Sequence, residues 1–141
     1  MLERTRARRQ ALQMLYQREI TGDDVASILS SRSYSVEDGE PDEFCRGLAL
    51  GAEAHVAAID ETIGNVSENW SVSRMPLVDR NILRLATYEL LFVEDVPASV
   101  SINEAVELAK VFGGEDSSKF VNGVLGRIAE KHVEEKEASD E

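Results

Sequence analysis

The sequence has little cysteine, histidine and proline: one, two and three residues among 141. A single cysteine, Cys45, excludes an internal disulfide and a multi-thiolate metal cluster within one chain, so a reducing compartment, by default the cytoplasm, is expected. Neither His55 nor His132 has a second histidine or cysteine at metal-ligand spacing. No apolar stretch is long enough for a signal peptide or a membrane span. These absences favour a protein without metal, cofactor or membrane anchor.

Motifs for catalysis are also missing. Ser117 lacks the GxSxG context of a serine nucleophile, and the pair Gly113-Gly114 is not followed by the Lys-Ser or Lys-Thr of a phosphate-binding loop. Glu104 and Glu107 lie one helical turn apart, but acids at this spacing are far more often caps or solvated faces, and Glu104 with Ser101 has the spacing of a capping box. We therefore predict no catalytic residues and no enzymatic activity.

Periodicity predicts an all-α fold, because no segment keeps the period-two alternation of a strand. At 141 residues the chain is long enough for one compact domain and too short for two of ordinary size. About six or seven helices in two packed groups are expected, in a domain of residues 1–130, with a frayed or disordered acidic tail over 131–141. The predicted helices cover 3–19, 24–31, 42–63, a short turn that holds Trp70, 77–92, a segment from Ser99 or Ser101 to Gly113, and a segment from Asp116 or Ser117 onward, with a loop at 33–41.

Positive charge is concentrated at one end of an acidic chain. The net charge is −12, yet residues 1–18 contain five arginines and one acid, so this segment carries +4 and the other 123 residues carry −16. Such an asymmetry points to a binding partner more strongly than the total charge does.

The first helix arranges its polar residues in one stripe. At 100° per residue, five of them fall within roughly 100° of one another. Ala7, Ala11, Met14 and Leu15 occupy the opposite side and are expected to pack on the rest of the protein, with Arg8 nearer this apolar side. The polar stripe consists of Arg6, Arg9, Gln13, Tyr16 and Gln17.

Two interpretations of this stripe remain open on composition alone. The arginines could solvate an ordinary surface helix and pair with acids elsewhere, which is common for charge clusters. Alternatively they bind RNA, since arginine forks fit phosphates and guanine edges while a tyrosine ring stacks on an unpaired base.

Several unusual stretches follow one another in the second half of the chain. They read VDRNILRLA at 78–86, YEL at 88–90, INEAVELAK at 102–110 and DSSKFVNGVL at 116–125. Together they resemble the central and closing helices of the NusB family of transcription antitermination factors. The first helix agrees, because RARRQALQMLYQ at 6–17 is similar to the arginine-rich start of those proteins.

The resemblance implies two packed three-helix bundles and a role in transcription. Family members pair with NusE, a small-subunit ribosomal protein, bind boxA elements in nascent ribosomal RNA transcripts, and join the antitermination complex of RNA polymerase. The resemblance places possible NusE contacts on Asp79, Tyr88 and Glu89. With Gln13 added from the stripe, the expected RNA-binding residues are Arg6, Arg8, Arg9, Gln13, Tyr16, Asp116, Lys119 and Phe120.

Two alternative functions stay open at this stage. The chain could be a self-associating module whose arginine helix is covered in a homodimer. It could also be an accessory domain of an RNA-modifying enzyme, although a glycine-rich cofactor loop is missing. A basic partner suits the charge, because an overall −12 repels phosphate and should weaken RNA binding by the chain alone.

Overall fold

The computed structural model describes residues 2–68 and 70–140, and within them it contains seven α-helices, one 3-10 helix and no strand. The predicted all-α fold is therefore confirmed. The 3-10 helix is Val72–Arg74. The α-helices are α1 (Leu2–Thr21), α2 (Val25–Ser31), α3 (Glu43–Ala54), α4 (Val56–Val66), α5 (Leu77–Phe92), α6 (Ala98–Phe112) and α7 (Ser117–Asp140).

The helices form two groups that meet at α5. Helices α1, α2 and α3 pack on one another, and so do α5, α6 and α7, with α4 lying against α5 and α7. Helix α5 also contacts α1 and α3, and every residue over 81–87 is buried. Apolar residues at all angles around α5, such as Ile82, Leu83 and Leu85, are typical of a helix enclosed on every side.

Helices α1 and α5 run antiparallel, and a charged contact marks each end of their interface. Arg8, near the start of α1, meets Glu89 near the end of α5. Glu19, near the end of α1, pairs with Arg84, and the same guanidinium reaches Asp60 on α4. These contacts fix the register of the two groups.

One predicted helix is divided in two. The expected helix over 42–63 breaks at His55, whose φ and ψ of −109° and 17° separate α3 from α4. The His55 ring packs on Phe92 with ring centroids 4.3 Å apart, and its Nδ1 lies 3.0 Å from the Gly51 carbonyl oxygen. Because the break has no glycine or proline of its own, local sequence could not indicate it.

The start of α6 also differs from the capping prediction. The helix begins at Ala98, directly after Pro97, and Ser101 lies inside it. The buried Ser101 hydroxyl donates a hydrogen bond to Glu89 at 3.0 Å. Glu104 accepts one from Thr5 at 2.6 Å, so neither residue of the expected capping box caps the helix.

The segment before α5 differs too. The short helical turn is the 3-10 helix Val72–Arg74, and Trp70 precedes it with half of its surface exposed. An extended stretch with φ of −73° at Met75 then leads to Pro76 and α5.

Residues 131–140 of the acidic tail are helical in the structure, whereas order was expected to end near residue 130. Helix α7 continues to Asp140. No glycine or proline follows Gly126, and alanine, glutamate and lysine favour helices. Lys131, His132 and Glu135 line a small cleft with residues of α4 and α5, so the extension contacts the rest of the protein. Among the described residues, no helix is both long and apolar enough to cross a membrane.

Candidate nucleic-acid interface

The outer face of α1 presents the predicted polar stripe. Arg6 is exposed and Tyr16 keeps 40% of its surface accessible, whereas Arg9, Gln13 and Gln17 are half-buried. From Arg6 to Tyr16 the stripe spans about 15 Å, at 1.5 Å per helical residue. The opposite face is in the core, since Ala7, Ala11, Met14 and Leu15 are each at most 2% exposed.

Arg9 is held by the loop that joins α2 to α3. Its Nε and Nη2 donate to the two carboxylate oxygens of Asp38 at 2.8 and 2.6 Å, a bidentate pair. The hydrogen bond from Arg9 holds the pKa of Asp38 below its ordinary value, and the charge of nearby Arg6 acts in the same direction. Within the described residues, Arg6 itself makes no hydrogen bond or ion pair.

Arg8 has a different environment from its neighbours. Only 4% of the residue is exposed, and its guanidinium donates to Glu89 at 2.5 to 3.0 Å and to Glu104 at 2.8 Å. Burial opposes its charge, but hydrogen bonds and charges from both carboxylates outweigh burial and raise its pKa. The predicted RNA contact of Arg8 therefore corresponds to a side chain enclosed between α1, α5 and α6.

The start of α7 lies near the C-terminal end of α1. The Ser117 hydroxyl donates to Asp79 at the beginning of α5, 2.7 Å away, and α5 begins where α1 ends. Asp116 and Lys119 are exposed, and Phe120 is half-buried against the core. No hydrogen bond or ion pair joins these three residues to α1 in the described part of the chain.

Of the three predicted partner contacts, only Tyr88 reaches the surface. Asp79 is 5% exposed and Glu89 is 1% exposed, and both carboxylates accept hydrogen bonds inside the protein. Tyr88 is half-buried and packs over Gly51 of α3, where a Cβ atom would overlap the ring.

Tyr88 belongs to an aromatic surface that also includes Phe92 and His55. Its ring stacks on Phe92 with centroids 5.2 Å apart, and the His55 ring lies 4.3 Å from Phe92 and 5.9 Å from Tyr88, so the three rings form one cluster. Phe92 is 44% exposed. Tyr88 and Phe92 are four residues apart on α5, so their shared face could be found from helical spacing, whereas the contribution of His55, from the break between α3 and α4, could not.

The described residues offer no metal site or reactive thiol. No group of three or more histidine, cysteine, aspartate or glutamate side chains among them could hold a metal ion. Cys45 is buried, and desolvation raises the pKa of its thiol to about 12, so the thiolate nucleophile is scarce at neutral pH.

These features define a class of protein: it is all-α, it consists of two packed helical groups, and its first helix exposes arginine and tyrosine. The model of the NusB family matches residues 5–130. The chain belongs to the NusB family.

Individual relatives agree with this membership over nearly the whole chain. The transcription antitermination protein NusB of Pelotomaculum thermopropionicum is 47% identical over 135 residues, 94% of this chain and 93% of the relative. That of an Anaeromyxobacter species is 49% identical over 130 residues, 91% and 90% of the two chains. Both relatives are named as transcription antitermination proteins.

Solved structures show the same fold. NusB of T. maritima superposes with a TM-score of 0.80 at 42% identity and covers 92% of each chain. A chain from a crystal structure of the antitermination factors NusB and NusE with double-stranded RNA superposes with a TM-score of 0.76 at 29% identity. It covers 93% of this chain and 98% of its own length.

Proposed function

We propose that this protein binds boxA-type RNA together with a NusE-like partner and acts in the cytoplasm as a transcription antitermination factor. The observation that carries the proposal is the outer face of α1, where Arg6 and Tyr16 are exposed on the one basic segment of an acidic chain. The family membership and the solved complex of relatives with NusE and RNA support it.

The residues of the stripe have complementary chemistry for single-stranded RNA. Arg6 is free to pair with phosphate, and an accessible Tyr16 ring offers a stacking platform about 15 Å away. Gln13, between them, can donate to or accept from a base edge. We therefore place the primary RNA contacts on these three residues and on Arg9, and treat Arg8 as a residue that supports α1 from within.

The start of α7 is proposed as a second contact region. Lys119 would pair with phosphate, the Asp116 carboxylate would accept from a base amino group, and the accessible part of Phe120 would stack. The Ser117–Asp79 hydrogen bond fixes this turn on the beginning of α5, so these side chains are presented by a rigid element.

The NusE-like partner is proposed to bind the surface of Tyr88, Phe92 and His55. These rings are mutually packed, which reduces the conformational entropy lost on binding, and aromatic residues are enriched at interface cores. A basic partner here would offset the net charge of −12 that otherwise repels RNA.

A binding titration tests the proposal. The affinity of the protein for boxA RNA is measured with and without purified NusE at several salt concentrations. We expect tighter binding with NusE and weaker binding as salt rises. Arg6→Ala should weaken binding and reduce its salt dependence, whereas Arg46→Ala, which removes an exposed arginine on α3, serves as the matched control. Equal binding with and without NusE, or equal effects of the two variants, would contradict the proposal.

A further inference from the structure

We propose that the loop of residues 33–41 covers part of the RNA-binding stripe in the free protein, with the Asp38 carboxylate occupying the position of an RNA phosphate on Arg9. RNA must displace the tip of this loop before it can engage Arg9. The inference deepens the proposed function and rests on RNA binding by α1.

The Arg9–Asp38 contact has the geometry of phosphate recognition. Two parallel N–H···O bonds, 2.8 and 2.6 Å long, join the guanidinium edge to two oxygens of one anion. An arginine pairs with a phosphate through the same fork. The two anions therefore compete for one guanidinium, and Asp38 lowers the affinity of Arg9 for phosphate.

Other residues of the loop also contact α1. Gln10 donates to the backbone oxygens of Asp38 and Gly39 at 3.2 and 3.1 Å. Gln17 donates to the Ser33 carbonyl at 3.2 Å, and Gln13 lines a narrow cleft with the loop. Of the five stripe residues, Arg6 and Tyr16 are thus the two that the loop leaves most accessible.

The loop is anchored at both ends and held only by polar contacts at its tip. Tyr34 and Pro41 are buried, whereas residues 35–37 and 39–40 are exposed, and Val36 is 74% exposed. Gly39 has a φ of +85°, which lets the tip turn sharply. Lifting the tip breaks the bonds to Arg9 and Gln10 without removing an apolar side chain from the core.

The loop also has the wrong charge for an RNA surface. Residues 33–41 contain three acids, Glu37, Asp38 and Glu40, and no lysine or arginine. While the tip lies on α1, these carboxylates oppose the field of the arginines, and in water at physiological salt that opposition extends over about 8 Å. Displacement of the tip would therefore expose Arg9 and move repulsive charge away from the RNA.

Two variants that each remove one negative charge separate the effect of the Arg9–Asp38 contact from the effect of the loop's overall negative charge. Asp38→Asn removes the bidentate partner of Arg9, and Glu37→Gln removes the neighbouring exposed carboxylate, whose charge also acts on Arg9. We expect Asp38→Asn to tighten boxA RNA binding in the presence of NusE about fivefold, the value of a modest ion pair. Glu37→Gln should tighten it less than twofold. Equal effects, or weaker binding by Asp38→Asn, would overturn the inference.

Two further measurements complete the test. In an Arg9→Ala background, Asp38→Asn should have no larger effect than Glu37→Gln, because no guanidinium remains to be released. Amide hydrogen exchange over residues 35–40 of the unaltered protein should become faster when RNA is added; slower or unchanged exchange counts against displacement.

If Arg6→Ala and Tyr16→Ala leave RNA binding intact, the proposed function fails. If they weaken binding while Asp38→Asn equals Glu37→Gln, only the loop inference fails.

Discussion

Arg8 and Arg9 are adjacent in the chain, yet they belong to two regions with opposite physical roles. Arg8 is 4% exposed and is enclosed by Glu89 and Glu104, whereas the Arg9 side chain is 37% exposed and pairs with a surface loop. The first region, the inner charge cluster of Arg8, Glu89 and Glu104, joins α1 to α5 and α6. The second, the outer stripe, faces solvent.

This difference shows that a cluster of arginines is not one functional unit. A buried ion pair stabilises little on balance, but removal of one partner leaves an uncompensated buried charge. An exposed arginine contributes little to folding and remains available to a ligand. Mutations in the two regions should therefore affect different observables, stability in the inner cluster and RNA affinity in the outer stripe.

The largest effect is expected in the inner cluster. Arg8→Ala should lower the free energy of unfolding by about 3–5 kcal/mol, because two carboxylates lose their buried partner. Urea unfolding followed by circular dichroism measures this change. Arg6→Ala, two residues away on the outer face, should change stability by no more than about 0.5 kcal/mol. Similar losses for both variants would abolish the distinction between the regions.

A second pair of variants tests the aromatic surface. Gly51→Ala should destabilise the protein by about 1–3 kcal/mol and weaken NusE binding, because the added Cβ displaces the Tyr88 ring. Gly47→Ala is the matched control on α3, since a Cβ there meets no atom within 4 Å. It should leave NusE binding unchanged and stabilise α3 by up to about 1 kcal/mol. Intact NusE binding by a folded Gly51→Ala protein would place the partner elsewhere.

The outer stripe should respond in affinity without loss of stability. Tyr16→Ala is expected to weaken boxA RNA binding by about 1–3 kcal/mol, the range for loss of one stacked base. Tyr16→Phe keeps the ring and should retain most of the affinity. Fluorescence anisotropy with labelled RNA distinguishes the two variants, and equal losses from both would indicate that the hydroxyl, and not stacking, makes the contact.

The smallest effect concerns the Arg9–Asp38 pair. The hydrogen bond that Asp38 accepts from Arg9 depresses the pKa of Asp38. The stability that the ionised carboxylate contributes is therefore present above the ordinary aspartate pKa and disappears as pH falls through the lowered value. Asp38→Asn should cost less than about 1 kcal/mol at pH 7. The difference in unfolding free energy between wild type and variant should shrink below about pH 4. A difference independent of pH would show that the carboxylate charge contributes nothing to stability.

Much of this architecture could be predicted from local pattern. The helix over 77–92 was predicted with the observed bounds, because Pro76 precedes it and no glycine or proline interrupts it. The buried and exposed faces of α1 also agree with the helical wheel. The environment of Arg8 could not be predicted, since its position near the edge of the apolar face allows either outcome. Its partner Glu89 lies 81 residues away in the chain.

The break at His55 and the position of Ser101 could not be predicted for the same reason. Both depend on contacts between helices, with Phe92 in one case and Glu89 in the other, and no short-range spacing encodes them. The binding roles of Asp116, Lys119 and Phe120 remain predictions, because the structure fixes their position at the start of α7 without a ligand.

NMR mapping tests the central claim most directly. The backbone amide resonances of the protein are assigned, and their shifts are followed as boxA RNA is added in the presence of unlabelled NusE, with the NusE complex as reference. We predict that the largest RNA-dependent shifts fall on residues 6–17 of α1 and extend to the loop over 33–41. Large shifts elsewhere, with α1 unchanged, would contradict the assignment of RNA binding to this helix.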